Sequence, residues 1–240
     1  MVAPVLRIGR RKEAVRLPSA AVRYAGLGWA VCLGAYPPGE ATRPRPHAWR
    51  GRALPAVPQR SPSTGRACSC DRVGCPAPAA HPMSPAWQML ASTDAAEVRQ
   101  WWWQNPDANV ILPTGRVFDV LDVPADAGRV ALGLMRGSAV TPGPVAVGGG
   151  RVLFFVATRG APADETEWWS CHLDCAPEDS DQVTGLRWHC RDSFVLAPPS
   201  RHASGLASRW LRPPAVGAQP PLPDAVRLLE VLADACDAVG

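Results

Sequence analysis

The chain has 240 residues, of which 47% are hydrophobic, so it can bury a core and is too apolar to be an intrinsically disordered protein. Its charge is uneven, because residues 1–100 carry 14 Lys/Arg against 5 Asp/Glu whereas residues 101–240 carry 11 against 16. A basic first half suits nucleic-acid phosphate, and a solvated basic surface in an arginine-preferring proteome explains it equally well.

The sequence contains no segment with the pattern of a membrane span. The most apolar early run, Ala20 to Tyr36, is interrupted by Arg23 and is too short. It also lacks a small-residue processing site, so it does not predict a secretory signal. We therefore expect a cytoplasmic protein whose 8 cysteines are thiols or metal ligands rather than disulfides.

The first predicted elements are short. Residues 1–18 form a basic lead-in, Ser19 caps a helix over residues 20–27, and residues 29–33 form a strand. Proline, glycine and arginine then dominate residues 34–85. A long irregular insert of this kind within a domain is usually functional or disordered.

The insert contains four candidate metal ligands: Cys68, Cys70, Cys75 and His81. Three thiols and an imidazole are a donor set that zinc takes in tetrahedral structural sites. Bound zinc would order a loop that has little apolar core of its own. Because the Cys-x-Cys spacing is tighter than the common Cys-x-x-Cys, free thiols in a flexible loop are the alternative.

A helix begins after the insert. Asp94 at the cap position and Glu97 three residues later form a pattern typical of a capping box, and Asn105-Pro106 ends the helix. The helix carries the run Trp101–Trp103, which indicates either indoles packed on a sheet or a platform that stacks on bases. The helical spacing favours packing.

Residues 109–155 have the pattern of a nucleotide-handling α/β core. The predicted order is an apolar strand ending at Gly115, a β-branched strand over 117–123 with Asp119 and Asp122, a helix over 125–136, and two strands joined by Gly148–Gly150. An acidic residue at the end of a buried strand is a common way to hold a divalent metal against phosphates.

The remaining chain alternates loops with short strands. The predicted order is an acidic loop over 158–184, a strand pair at 186–190 and 194–197, a polar turn at 198–205, a strand at 208–211, a proline-rich connector, and a helix over 224–238.

Several motifs occur together in a fixed order. They are Tyr24-Ala-x-x-Gly-Trp29, the Cys68–His81 cluster followed by Pro82, Thr93-Asp94, Trp101-Trp102, Pro106-x-Ala-Asn109, Thr114-Gly115, Val120-Leu-Asp122, Gly148–Gly150, and Ala197-Pro-Pro-Ser200 with His202 and Gly205. From about residue 20 to 212 this series resembles the N-terminal domain of bifunctional DNA primase/polymerases, in the archaeo-eukaryotic primase superfamily.

The resemblance implies an α+β fold, with a central mixed or antiparallel sheet flanked by helices and a Cys/His-containing loop insertion. The domain would cover residues 19–212 with its insert at 34–85, and residues 213–240 would add the connector and a C-terminal helix. The implied partners are nucleic acid and nucleoside triphosphates. The implied cofactors of an active domain are Mg²⁺ or Mn²⁺ ions that align a triphosphate with an attacking hydroxyl.

The metal-binding pattern of the family is damaged in this sequence. Asp122 matches the first acidic position, but Pro124 stands at the second and Arg187 falls near the third. Val152 stands where the family has a histidine. One carboxylate binds Mg²⁺ weakly, because that ion keeps its water unless several oxygens replace it.

A second group of residues is implied to contact phosphate or sugar: Arg151, Ser200 and His202. For the last two, a proline-stiffened turn with solvated side chains is the alternative.

Three functional hypotheses follow. The leading one is a primase/polymerase-like domain that binds nucleotide or nucleic acid with catalysis lost or strongly reduced. The second is an active nucleotidyltransferase whose metals use Asp119, Asp126 or Asp192 beside Asp122. The third is a non-catalytic, zinc-stabilised interaction module anchored by Trp168-Trp169. No phosphate-binding Gly-x-x-x-x-Gly-Lys-Ser/Thr run occurs in the sequence, so a helicase or replication partner would act in trans.

Overall fold

A computed structural model describes residues 16–38, 68–70, 72, 74–158, 185–215 and 222–240. Within these ranges the chain forms α1 (Leu17–Gly26), β1 (Cys32–Gly34), α2 (Trp87–Leu90), α3 (Ala95–Gln104), β2 (Asn109–Pro113), β3 (Asp119–Pro124), α4 (Ala125–Met135), β4 (Val145–Gly148), β5 (Arg151–Val156), β6 (Arg187–His189), β7 (Phe194–Leu196), β8 (Arg209–Arg212) and α5 (Ala225–Asp237).

The strands form two antiparallel sheets. The smaller has the order β1-β2-β7, and the larger has the order β6-β3-β5-β4-β8. In the larger sheet β5 lies between β3 and β4, so the connection through α4 joins two strands that are not neighbours. The predicted α+β class, with antiparallel sheets flanked by helices, is confirmed.

Two apolar clusters cover the two faces of the larger sheet. On one face, side chains of β3 and β5 such as Leu121 and Phe154 pack with α4 and α5. On the other face, Val120 and Phe155 pack with Trp29, with β2 of the smaller sheet, and with α1 and α3. The core on this second face extends along β3 to Val120, and Asp122 lies on the same face two residues further along the strand.

Local sequence explains several element ends. The side chain of Asp94 accepts hydrogen bonds from the backbone N–H groups of Ala96 and Glu97, which confirms the predicted cap of α3. The prediction that Ser19 caps the first helix was wrong. That helix begins at Leu17, and Pro18 lies in its first turn, where a missing N–H costs nothing.

The glycine-rich turn between β4 and β5 is a tight hairpin, as predicted. Gly149 and Gly150 have φ of +58° and +78°, values that an L side chain rarely adopts. The strand after the turn, β5, lies at the centre of the larger sheet.

The strands at 186–190 and 194–197 do not pair with each other, contrary to the prediction. β6 pairs with β3 in the larger sheet, whereas β7 pairs with β2 in the smaller one. The turn between them is held by the loop before β3, because the N–H of Thr114 donates to the carbonyl of Ser193 and Gly115 packs on the backbone of Arg191. The chain therefore crosses from one sheet to the other at this turn.

Some sequence predictions fall outside the described residues. These are the lead-in before residue 16, the insert between residues 39 and 67, the acidic loop over 159–184 with Trp168 and Trp169, and the connector at 216–221. Among the helices that the structure describes, none has the length and apolar character needed to span a bilayer.

Candidate functional site

The surface around Asp122 is built by three adjacent strands, β3, β5 and β6. In the register of the sheet Asp122 lies directly opposite Arg187 on β6. Two residues after Asp122, Pro124 lies opposite Arg151 on β5. Two residues before Asp122, Val120 lies opposite His189 on β6. Because residues two apart on a strand point to the same face, Arg151, Arg187 and His189 share the face of Asp122. We call these four residues the Asp122 site.

Both carboxylate oxygens of Asp122 contact groups of the protein. Arg151 donates its Nε–H to Oδ1, and His189 Nε2 lies 3.3 Å from Oδ2. The Nη2 of Arg151 also donates to the backbone carbonyls of Asp122, at 3.1 Å, and Gly185, at 2.8 Å. The side chains of Asp122 and Arg151 are only 8% and 17% exposed. Asp122 is thus held in a largely buried set of charge-assisted contacts.

This arrangement does not fit a divalent metal. Mg²⁺ takes oxygen ligands in octahedral geometry, and the Asp122 site offers one carboxylate beside two guanidinium groups. Pro124 supplies no carboxylate at the second position, and Arg187 places a cation at the third.

The other carboxylates considered as metal ligands lie elsewhere. Asp119 is 1% exposed on the opposite face of β3, where its Oδ2 accepts a hydrogen bond from Trp188 Nε1 at 3.2 Å. Asp126 pairs with Arg129 on the exposed side of α4. Asp192 lies in the turn before β7, with Arg191 Nε at 3.9 Å. None of these three side chains contacts Asp122 within the described residues.

Val152 lies on the helix-covered face of the larger sheet, not on the face of Asp122. A Cβ on Gly128 of α4 would lie 2.6 Å from Val152 Cβ, so the helix approaches the sheet closely at this point. The face of Asp122 is instead occupied at this level by the neighbouring residue, Arg151.

The other two residues implied to contact phosphate lie in the turn after β7. The hydroxyl of Ser200 is fully buried and accepts a hydrogen bond from the N–H of Val110 at 2.8 Å, so it joins the turn to β2. His202 Nε2 lies 2.8 Å from Ser208 Oγ, beside the glycine turn at Gly149. Burial lowers the pKa of His202, because it disfavours the charged imidazolium.

Asn109 joins distant parts of the chain, a role that sequence reasoning missed. Its buried Nδ2 donates to the carbonyls of Ala35, Ala79 and Arg201 at 2.8, 2.9 and 2.7 Å. Its Oδ1 accepts from the N–H of Arg201 at 2.9 Å. The signal in the sequence was a polar residue at the start of an otherwise apolar strand, which is costly unless it is fully hydrogen-bonded.

The Cys/His cluster comes together as the spacing predicted. One ligand atom from each of Cys68, Cys70, Cys75 and His81 lies within 4.8 Å of the others, and no other group of three or more such ligands occurs among the described residues. His81 Nδ1 donates to the carbonyl of Pro82 at 2.8 Å, which directs Nε2 towards the thiols. This cluster could bind a metal ion.

The thiols of the cluster differ in acidity. Burial opposes ionisation of Cys70, but hydrogen bonds from the backbone of Arg72 and from its neighbours outweigh it and lower the pKa of Cys70 to about 7. Burial and the neighbouring thiols raise the pKa of Cys75 to about 11. Ala79, with a φ of +61°, points its N–H at Cys68 Sγ at 3.2 Å. Such donors stabilise the thiolate form that metals bind.

The chain is thus an α+β domain with an acidic residue on a central strand of the larger sheet and a separate cluster of soft metal ligands. The family model described as bifunctional DNA primase/polymerase, N-terminal, matches residues 21–225, and the chain belongs to this family. It is a DNA primase/polymerase-like domain, and membership implies interaction with nucleic acid and nucleoside triphosphates. No curated protein matches the chain.

Proposed function

We propose that this domain binds nucleotide or nucleic acid without catalysing metal-dependent polymerisation. The observation that carries the proposal is the ion pair between Arg151 and Asp122, with Arg187 directly opposite Asp122 in the sheet. Phosphoryl transfer of this type needs cations that share the charge on the attacking and leaving oxygens, and several carboxylates must hold those cations. In the Asp122 site a guanidinium takes the carboxylate that a metal would need.

Without catalytic metal ions, we assign the binding of phosphate to arginine. A guanidinium keeps its charge at every physiological pH and can attract a phosphate while it also contacts a carboxylate. Arg151 is the residue of the Asp122 site that we assign to phosphate. His202, which lies beside the glycine turn that precedes Arg151, and Ser200 behind it would shape the neighbouring surface.

Two assays on the same protein test the proposal. Dinucleotide synthesis with Mg²⁺ or Mn²⁺ is expected to be absent, while titration with a nucleoside triphosphate in EDTA is expected to show binding that Arg151→Met weakens. Robust primer formation that Asp122→Asn abolishes would contradict the loss of catalysis. Absence of binding to both triphosphate and oligonucleotide would contradict the proposal and support a non-catalytic interaction module.

We also infer that the Cys/His cluster holds structural zinc. Three sulfurs and one nitrogen within reach of a single ion form a closed tetrahedral donor set with no position left for substrate. Metal analysis is expected to find one zinc per chain, and cobalt substitution is expected to give sulfur-to-cobalt charge-transfer bands. Cys75→Ser should remove both signals, whereas Cys236→Ser on α5 should keep them. Equal metal content in the Cys75→Ser and Cys236→Ser variants would contradict the inference.

We also propose that the protein is located in the cytoplasm, because cysteine thiols stay reduced in that compartment. The proposed function also involves a replication partner such as a helicase, supplied in trans.

A further inference from the structure

One tryptophan of the Trp101–Trp103 run is exposed on α3. Trp102 is fully buried and donates its indole N–H to the carbonyl of Ala108 at 2.9 Å, so it belongs to the core. Trp103 is 82% exposed. A single exposed apolar side chain is common on protein surfaces, so the surroundings of Trp103 decide whether it marks a ligand surface.

The exposed indole borders an open, largely apolar cavity of about 600 Å³, large enough for a nucleotide unit. Its lining consists of Pro18, Arg99, Gln100, Trp102, Trp103 and Pro106. Arg99 precedes Trp103 by one helical turn, so the two side chains project from the same face of α3. Within the described part of the chain Arg99 makes no ion pair. The surface therefore combines a flat aromatic ring, a guanidinium and an amide.

Charge selects the kind of ligand. The lining has a positive residue and no acidic one. Pro18 belongs to the lining, and the exposed Arg16 lies two residues before it at the start of α1. An apolar protein segment would gain nothing from this charge, whereas a polyanion with flat apolar bases would use both the guanidinium of Arg99 and the indole of Trp103.

We propose that this α3 surface binds single-stranded nucleic acid, with the indole of Trp103 stacked on a base and the guanidinium of Arg99 on a phosphate. The inference extends the nucleic-acid contact of the proposed function to a second place on the domain. It lies on α3, apart from the strands β3, β5 and β6 that build the Asp122 site, and it needs neither a metal nor that site. Stacking is tolerant of sequence, because every base has a π-face, so little sequence preference is expected.

The test is fluorescence anisotropy of a labelled oligothymidylate of about 20 nucleotides with the full chain. Trp103→Ala is expected to weaken binding about tenfold, and Trp103→Phe should keep most of the affinity, because a smaller ring still stacks. Arg99→Ala is expected to reduce the slope of log affinity against log salt by about 0.7, whereas Trp103→Ala should leave this slope unchanged. Both side chains are exposed, so the variants are expected to fold, and circular dichroism checks this.

Two control variants test whether the loss of affinity is specific to the α3 surface or follows the removal of any exposed side chain. Met89→Ala removes another apolar side chain that is 84% exposed, and Arg227→Ala removes an exposed charge on α5; neither should change affinity by more than about twofold.

Unchanged affinity in Trp103→Ala would overturn the inference, and so would a change in self-association measured by sedimentation without a change in oligonucleotide binding. Failure of the wild-type chain to bind the oligonucleotide would also overturn it. The triphosphate titration at the Asp122 site is read separately in the same variants and is expected to be unaffected by Trp103→Ala. It therefore decides the proposed function independently of this surface.

Discussion

Asp122 and Arg151 form an ion pair whose two side chains lie largely out of water. Removing one partner of such a pair leaves an uncompensated charge, which costs more than the pair contributes as a whole. Arg151→Met is expected to lower the free energy of unfolding by about 3 kcal/mol. Asp122→Asn combined with Arg151→Met should cost less than the two single changes together.

Urea denaturation at pH 7 measures these differences. The control is Arg129→Met, which breaks the exposed pair with Asp126 and should change stability by less than about 0.5 kcal/mol. Equal effects of Arg151→Met and Arg129→Met would show that the Asp122 pair is solvated.

His202 gives the stability a pH dependence. Burial lowers its pKa in the folded state, so the folded chain keeps the imidazole neutral while the unfolded chain takes up a proton near pH 6.5. Stability is therefore fully present above about pH 6.5 and falls as the pH drops below it. We expect the difference in unfolding free energy between the wild type and His202→Gln to shrink between about pH 8 and pH 5. Parallel curves for the two proteins would contradict this.

The sequence identifies individual residues of the site but not the residues with which they form hydrogen bonds or ion pairs. The order of motifs singled out Asp122, Pro124 and Arg187 as positions of the family's metal site, and that assignment stays a prediction. The ion pair between Asp122 and Arg151 was not predictable, since it depends on the register between β3 and β5. The bonds of Asn109 were even less accessible, because its partners lie 30 to 92 residues away along the chain.

The helix α4 packs closely against β5, and a glycine makes this possible. A Cβ on Gly128 would lie 2.6 Å from Val152 Cβ, closer than real Cβ atoms approach. Gly128→Ala is expected to lower the free energy of unfolding by about 1–3 kcal/mol, which outweighs the gain of about 1 kcal/mol in helix propensity. In a Val152→Ala background the same change should cost far less, and the coupling should reach about 1 kcal/mol.

The same helix supplies the control for this prediction. A Cβ placed on Gly133 would meet no atom within 4 Å, so Gly133→Ala is expected to stabilise the chain by about 0.5–1 kcal/mol. Thermal unfolding of all four variants measures the effects. If Gly128→Ala stabilised the protein as Gly133→Ala does, the close packing of α4 would be disproved.

Elements with strong local signals were predictable, and long-range pairing was not. The cap of α3, the glycine hairpin and the helices α4 and α5 follow from capping, turn and periodicity rules that act over a few residues. The strands β6 and β7 were recognised, but their short separation suggested a pair. Their true partners, β3 and β2, are more than sixty residues earlier, and no local pattern carries that information.

Across the whole molecule, the two apolar clusters share the same strands. Leu121 and Phe155, in β3 and β5, point into opposite clusters, so neither cluster persists when these strands separate. We expect a single unfolding transition in which tryptophan fluorescence and far-UV circular dichroism coincide. Leu121→Ala and Phe155→Ala should each shift both signals together and cost about 2–5 kcal/mol.

Leu206→Ala is the control for this prediction, because Leu206 is 71% exposed and its removal should leave the midpoint almost unchanged. Two separate transitions, or a variant that moves one signal and not the other, would show that the clusters unfold independently.

Asn109 binds three segments of backbone at once, and this has a consequence for communication across the fold. The amide of Asn109 touches Ala79, inside the thiol cluster, and Arg201, beside the imidazole of His202. We therefore expect binding of an ion by the cluster to affect the backbone at Arg201, which follows the cluster by more than a hundred residues. The amide N–H of Arg201 donates to Asn109 Oδ1. We expect the hydrogen-exchange rate of this amide to differ between the metal-bound and metal-free protein.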